Sequence, residues 1–182
     1  MTSLLSTRAV ATARRATLAG FLSLVGANAA FAAPPEGTLA VANISLAQAT
    51  KVVEGAIAHA RTHKVGISVV VVDTSGYVVA AARMDGVPFG SFDVARGKAI
   101  ASVATGGVSG KDLMDRYKAN PIVFGQISSL SYGGPMFPSQ GSLPIFKDGV
   151  LIGAVGASAA SSQMDEDAGR SGIQAIGATE KR

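Results

Sequence analysis

Residues 67–86 read ISVVVVDTSGYVVAAARMDG, and this pattern decides the fold class. Ile67–Val72 is a β-branched run, Asp73-Thr74-Ser75-Gly76 supplies turn chemistry, and Tyr77–Met84 resumes an extended pattern. Two extended segments around a short glycine-containing turn form a hairpin. The first strand is apolar on both faces, which predicts a central place in its sheet. Asp85-Gly86 and Pro88 end the second.

A second hairpin lies downstream. Leu143–Phe146, then Lys147-Asp148-Gly149, then Val150–Ser158 place an Asp-Gly pair between apolar runs, a strong local hairpin signal. Upstream of the first hairpin, Ser45-Leu46-Ala47-Gln48 has capping-box form. Apolar residues at Leu46, Ala49, Val53, Ala56, Ile57 and Ala60 then predict an amphipathic helix over Leu46–His63. Between the hairpins, Ser91–Thr105 is helical and rich in small residues, which predicts close backbone approach. Gly106-Gly107 stops it, a helix from Ser109 to Lys118 follows, and Asn120-Pro121 punctuates the chain. The glycines and prolines of residues 131–144 predict irregular structure. Ser162-Gln163-Met164-Asp165 repeats the capping form, and Asp165, Glu166 and Asp167 suit the positive end of a final helix reaching Ile176. Strands joined by tight hairpins are antiparallel, so the expected class is α+β: one antiparallel sheet of about five strands flanked by helices.

The 182 residues suit one domain with a leader. Residues 1–32 read as a signal peptide: a basic stretch ending at Arg14-Arg15, an apolar Ala16–Ala27, and an Ala30-Phe31-Ala32 cleavage site. The apolar stretch falls short of the ~20 residues of a bilayer span, so no membrane span is expected after cleavage. The twin arginines allow the Tat or the Sec route, and the expected location is periplasmic or secreted. Residues 33–43 form a mobile leader, 44–178 the domain and 179–182 a tail.

Arg8, Arg14 and Arg15 account for most of the excess of 16 Lys+Arg over 12 Asp+Glu, leaving the rest of the chain near neutral. Without a basic run there is no electrostatic basis for nucleic-acid binding. With no cysteine, disulfides, thiolate metal sites, a Cys nucleophile and covalently attached haem are excluded. Residues 105–112 lack the first glycine of a phosphate-binding P-loop and carry Asp112 where Ser or Thr is required. Gly153 and Gly156 sit inside a hairpin strand, not in a strand-to-helix turn, so no nucleotide cofactor is expected.

The ordered motifs resemble the GlcG/HbpS-like family, the DUF336 or haem-degrading domains. The matching residues are Val71-Val72-Asp73 with Gly76, Arg83-Met84-Asp85-Gly86, Lys98-Ala99, Leu143-Pro144-Ile145, Asp148-Gly149, Gly153–Ser158, and the cluster Gln163, Asp165 and Glu166. They span about residues 44–177. The chain departs from the family pattern at Gly141-Ser142, at Met164 and at Gly156-Ala157-Ser158-Ala159. The resemblance implies a profilin-like α/β/α sandwich, assembly into a homo-oligomer (in relatives often an octamer), and non-covalent haem or a related tetrapyrrole as the ligand.

The candidate site residues follow from their chemistry. Arg83 suits a two-pronged hold on a carboxylate, with an ion pair to Asp85 as its structural alternative. Met84 offers an apolar body or a soft thioether. Lys98, among small residues, needs an anionic partner if buried, either a ligand carboxylate or an acid at a subunit interface. Thr105 offers a hydroxyl near the Gly106-Gly107 turn. His59 and His63, four apart on one helix face, form a candidate pair for a metal or haem iron, although Arg61 and Lys64 beside them oppose a cation. Tyr117 and Tyr132 are alternative iron ligands. By the resemblance, haem would lie in a slot lined by Met84 and Phe124, with Arg83 or Lys98 toward its propionates. Two alternatives remain open: a cofactor-independent enzyme on a small organic acid, with Asp85 or Lys98 transferring protons, and a ligand-free scaffold or sensor partner.

Overall fold

The computed structural model describes residues 35–130 and 134–182. The expected signal peptide and cleavage site, and Tyr132, lie outside the described residues. A first unit ends at Leu39, and its described part holds a turn in which Thr38 N donates to Pro35 O (3.1 Å). The second unit, Ala40–Arg182, holds every regular element found among the described residues.

In chain order these are α1 (Leu46–Thr62), β1 (Ser68–Val72), β2 (Val78–Arg83), α2 (Gly90–Ala104), α3 (Gly110–Ala119), α4 (Pro121–Ser129), β3 (Ser142–Lys147), β4 (Val150–Ser158) and α5 (Ser162–Ala175). The sheet runs β2-β1-β4-β3 with every neighbouring pair antiparallel. All five residues of β1 are buried, as expected of a strand with neighbours on both sides and helices on both faces. Among the described residues the sheet has four strands, close to the expected five. Beyond β3, Thr179 makes only a one-residue bridge to Phe146, which ties down the start of the expected tail.

Local chemistry sets the element ends. Ser45 Oγ accepts from Gln48 N (3.3 Å) and opens α1. Asp73 Oδ1 accepts from Ser75 N and Tyr77 N, closing the first turn. Asp148 and Gly149 both adopt positive φ, +51° and +77°, the two-residue geometry that matches the twist of antiparallel strands. Ser161, one residue before the expected position, caps α5 by accepting from Met164 N (3.3 Å).

One helix was not expected. Asn120 ends α3 and also opens α4: its N–H donates to Arg116 O (2.9 Å) while its Oδ1 accepts from Val123 N (3.4 Å). Pro121 then takes the first helical position, where a missing N–H costs nothing. A pair that reads as a break is also a start.

Two apolar cores lie on the two faces of the sheet. Val69, Val71, Val155 and Ala157 pack with Val52, Ala56, Ala168 and Ile173 of α1 and α5. Val70, Val72 and Ala154 pack with Ala95, Ala99 and Ile100 of α2 and Leu113 of α3. The result is the α/β/α sandwich. The small residues of α2 do permit the expected close approach: a Cβ on Gly156 of β4 would stand 2.1 Å from Ala95 O. Among the described residues no helix is long and apolar enough to cross a membrane.

Candidate functional site

Lys98 is buried, and its anionic partner belongs to the same chain. Its Nζ lies 3.1 Å from Asp165 Oδ2 at the start of α5 and donates to Ala157 O (2.9 Å) at the end of β4. Because α2 and α5 cover opposite faces of the sheet, the pair joins the two helical layers. Gly141 makes room for it, since a Cβ there would stand 2.6 Å from Nζ. Asp165 Oδ1 also accepts from Ala160 N (3.2 Å). Burial pushes the Asp165 carboxyl above its usual range, and the attraction of Lys98 only partly opposes this. Neither a ligand carboxylate nor a subunit-interface acid is needed to satisfy Lys98.

Arg83, Met84 and Asp85 lie together around a depression of about 310 Å³ that also includes Ile57 and Arg61 of α1. Arg83 donates through Nη1 to Val87 O, and no ion pair joins it to Asp85 among the described residues. Lys98 does not reach this depression, so the structure does not bring Arg83 and Lys98 to one cavity. Met84 packs against the α1–α5 core, whereas Phe124 sits half-buried on α4, which packs against α3. The expected slot between these two side chains is therefore not formed within one chain. Thr105 Oγ1 donates to Ala101 O (2.8 Å), closing its own helix rather than facing a pocket.

The His59 and His63 rings stack with centroids 4.3 Å apart. His63 Nδ1 hydrogen-bonds His59 O and His59 Nδ1 hydrogen-bonds Ser171 Oγ, each at 2.9 Å. His59 Nε2 is buried without a partner. Both Nδ1 atoms are thus engaged in helix contacts, and among the described residues no cluster of three or more His, Cys, Asp or Glu is placed to hold a metal ion.

Two further concavities flank α3. One, of about 350 Å³, is lined by Tyr117 and Ser128 with Met136, Phe137, Pro138 and Ser139. Beside it α4 exposes Ile122 and Val123, and the helix buries no residue at all. The other, of about 570 Å³, is strongly charged and is lined by the Gly106–Asp112 segment, Arg116, Phe146, Glu166, Arg170 and residues 180–182. Sequence reading had isolated Tyr117, Glu166 and the Gly106-Gly107 turn, but not Arg116 or the chain end. No local pattern announces either cavity, because each is assembled from separate segments, the smaller from within residues 117–139 and the larger from within residues 106–182.

The family model for haem-degrading HbpS-like proteins matches residues 44–174. The chain belongs to the HbpS-like family. Among solved structures, the HbpS-like chain resembles a PduOC–haem complex at 25% identity, TM-score 0.68, covering 77% of this chain and 99% of that one. It also shares its fold with HbpS (24% identity, TM-score 0.69, 79% and 96% covered) and with the DUF336 protein ORFY of Klebsiella pneumoniae (22%, 0.69, 81% and 100%). A search of curated proteins returns no significant match.

Proposed function

We propose that this HbpS-like chain is an exported, homo-oligomeric protein that binds haem non-covalently, to capture, store or slowly degrade it. The observation that carries the reading is the likeness along nearly the whole domain to a protein whose structure holds haem. The groove beside α3 fits the group chemically. Its Phe137, Met136 and Pro138 offer an apolar wall, and Tyr117 offers a phenol oxygen suited to iron. His59 fits less well, because its free Nε2 is buried under α5 and lines none of the cavities described here. In the absence of cysteine, haem would be held without a covalent link, by packing in the groove and by coordination from Tyr117. Bound haem would supply an iron centre open to ligand exchange and redox chemistry, and the protein would orient it and limit access of water.

The apolar, unburied α4 supports oligomerisation: in an assembly, a neighbouring copy would cover Ile122 and Val123. Export rests on the reading of residues 1–32. The rival enzyme on a small organic acid loses one of its two proton-transfer candidates, since Lys98 is held in a buried pair with Asp165, and Asp85 remains.

Haemin titrated into the purified mature chain is expected to give a saturable Soret shift, and protein purified from haem-replete cells is expected to be brown. A titration with no saturable shift removes the haem reading and leaves the ligand-free scaffold.

A further inference from the structure

One wall of the groove beside α3 is set in place by residues that do not line it. Met136, Phe137, Pro138 and Ser139 form that wall and face Tyr117 and Ser128 across about 350 Å³. Residues 135–139 belong to no helix or strand, so no regular hydrogen-bond ladder fixes their course. They are seated instead on two buried glycines, Gly97 in the middle of α2 and Gly110 at the start of α3.

Both seats admit main chain. Phe137 N donates to Gly97 O (3.0 Å). A Cβ on Gly97 would stand 2.9 Å from Pro135 O and 2.9 Å from Phe137 Cβ, and one on Gly110 would stand 2.2 Å from Ser139 O. These obstacles are carbonyl oxygens and a Cβ, which no side-chain rotation can move. Between the two seats, Met136 is 6% exposed and joins the core of Ala99, Ile100 and Leu113. The wall is thus clamped near both ends and pinned in the middle, whereas α4 on the opposite side has no fully buried residue.

We infer that Gly97 and Gly110 are positioning residues for porphyrin binding: by admitting the backbone of residues 135–139, they set the width of the groove before a ligand enters. The inference rests on the haem reading of this groove. A flat macrocycle gains dispersion energy only where a wall stands in contact with it, and a gap of about 0.5–1 Å forfeits a quarter to a half of that gain. Relieving the 2.2 Å approach at Gly110 to an ordinary contact of 3.4 Å or more displaces Ser139 by about 1 Å, on the scale of that gap. A wall fixed in advance also spares the cost of ordering it on binding.

The test is titration of haemin and of iron-free protoporphyrin into the mature wild-type chain and into Gly97→Ala, Gly110→Ala and Gly172→Ala. Gly172 seats the α1–α5 crossing against Val52 O, on the other face of the sheet, and controls for lost stability alone. Gly97→Ala and Gly110→Ala are each expected to bind both porphyrins about tenfold more weakly, because the wall touches the macrocycle and not the iron. Gly172→Ala is expected to melt lower yet bind as wild type does. Pro135→Gly, exposed and outside the groove, loosens the wall without adding a side chain and keeps the test open if the alanine variants do not fold. It is expected to weaken both porphyrins about twofold to fivefold. The inference is overturned if the two seat variants bind as wild type does, if Gly172→Ala weakens binding as much as they do, or if only haemin binding falls. If the seat variants do not fold, wild-type affinity in Pro135→Gly overturns it. Wild-type protein that fails to bind haemin removes the haem reading itself, a separate result.

Discussion

Lys98 on α2 and Asp165 on α5 stand 67 residues apart in sequence and 3.1 Å apart in space, with side chains 5% and 3% exposed. The pair closes the sandwich at the end of β4, where Lys98 also bonds the Ala157 carbonyl. Removing one member leaves the other as an uncompensated buried charge. Lys98→Met is expected to cost about 3–5 kcal/mol in chemical denaturation, and Lys98→Met with Asp165→Leu to recover most of that loss. A double variant whose loss equals the sum of the Lys98→Met and Asp165→Leu losses would show that the two side chains act independently.

The same pair sets a pH dependence. Burial raises the folded Asp165 pKa above the ordinary aspartate value of 3.8, with Lys98 pulling the other way. The stability contributed by this group is therefore fully present below pH 3.8 and is lost as pH rises through the folded value. Without Lys98 the folded value climbs further. Melting temperatures of Lys98→Met are expected to fall more steeply than wild type as pH rises above that point, and parallel curves would contradict this.

Gly156 and Gly172 mark where backbones meet. A Cβ on Gly156 would stand 2.1 Å from Ala95 O, and one on Gly172 would stand 2.3 Å from Val52 O, the crossing of α1 and α5. In both places the obstacle is main chain, which cannot rotate away. Each Gly→Ala change is expected to cost on the order of 3 kcal/mol by forcing a helix to shift. A loss within about 0.5 kcal/mol, the range of ordinary surface changes, would mean that the layers slide freely.

Tyr117→Phe keeps the groove's apolar wall and removes the phenol. Haemin is expected still to bind, with affinity reduced and with a Soret position and charge-transfer bands different from wild type. His59→Ala is expected to leave that spectrum unchanged while lowering stability through loss of the Ser171 contact. A spectrum altered only by the histidine change would move the iron to α1.

Ile122 is 74% exposed on α4, a helix with no fully buried residue, and an assembly that covers this helix would relieve its contact with solvent. Ile122→Glu is expected to lower the mass measured by light scattering without changing helical content. An unchanged mass would place the interface elsewhere.

Much of the fold was readable before any coordinates. Asp148-Gly149 announced a hairpin because both positions need positive φ, which these residue types tolerate, and β1 announced its central place by being apolar on both faces. The start of α4 was missed because Asn120 and Pro121 terminate one helix and open the next with the same chemistry, and because α4 sends only Ile127 toward a core and exposes Ile122 and Val123, which blurs the apolar periodicity of a packed helix. Of the site, sequence showed that a buried Lys98 would need an anion but not which one.

What the chain determined by itself is local: turn types, helix caps, the alternation that buries a strand, the absence of any thiol chemistry. These depend on neighbours within a few residues, where backbone sterics and hydrogen bonding act. Which charges meet, which remain free, and where cavities open was decided by the layering of helices on the two sheet faces. That layering spent the Lys98 charge on Asp165, separated Arg83 from it, and left Arg116 lining an open cleft. Electrostatic partners are chosen by distance in space, and only packing brings residues 67 positions apart within reach.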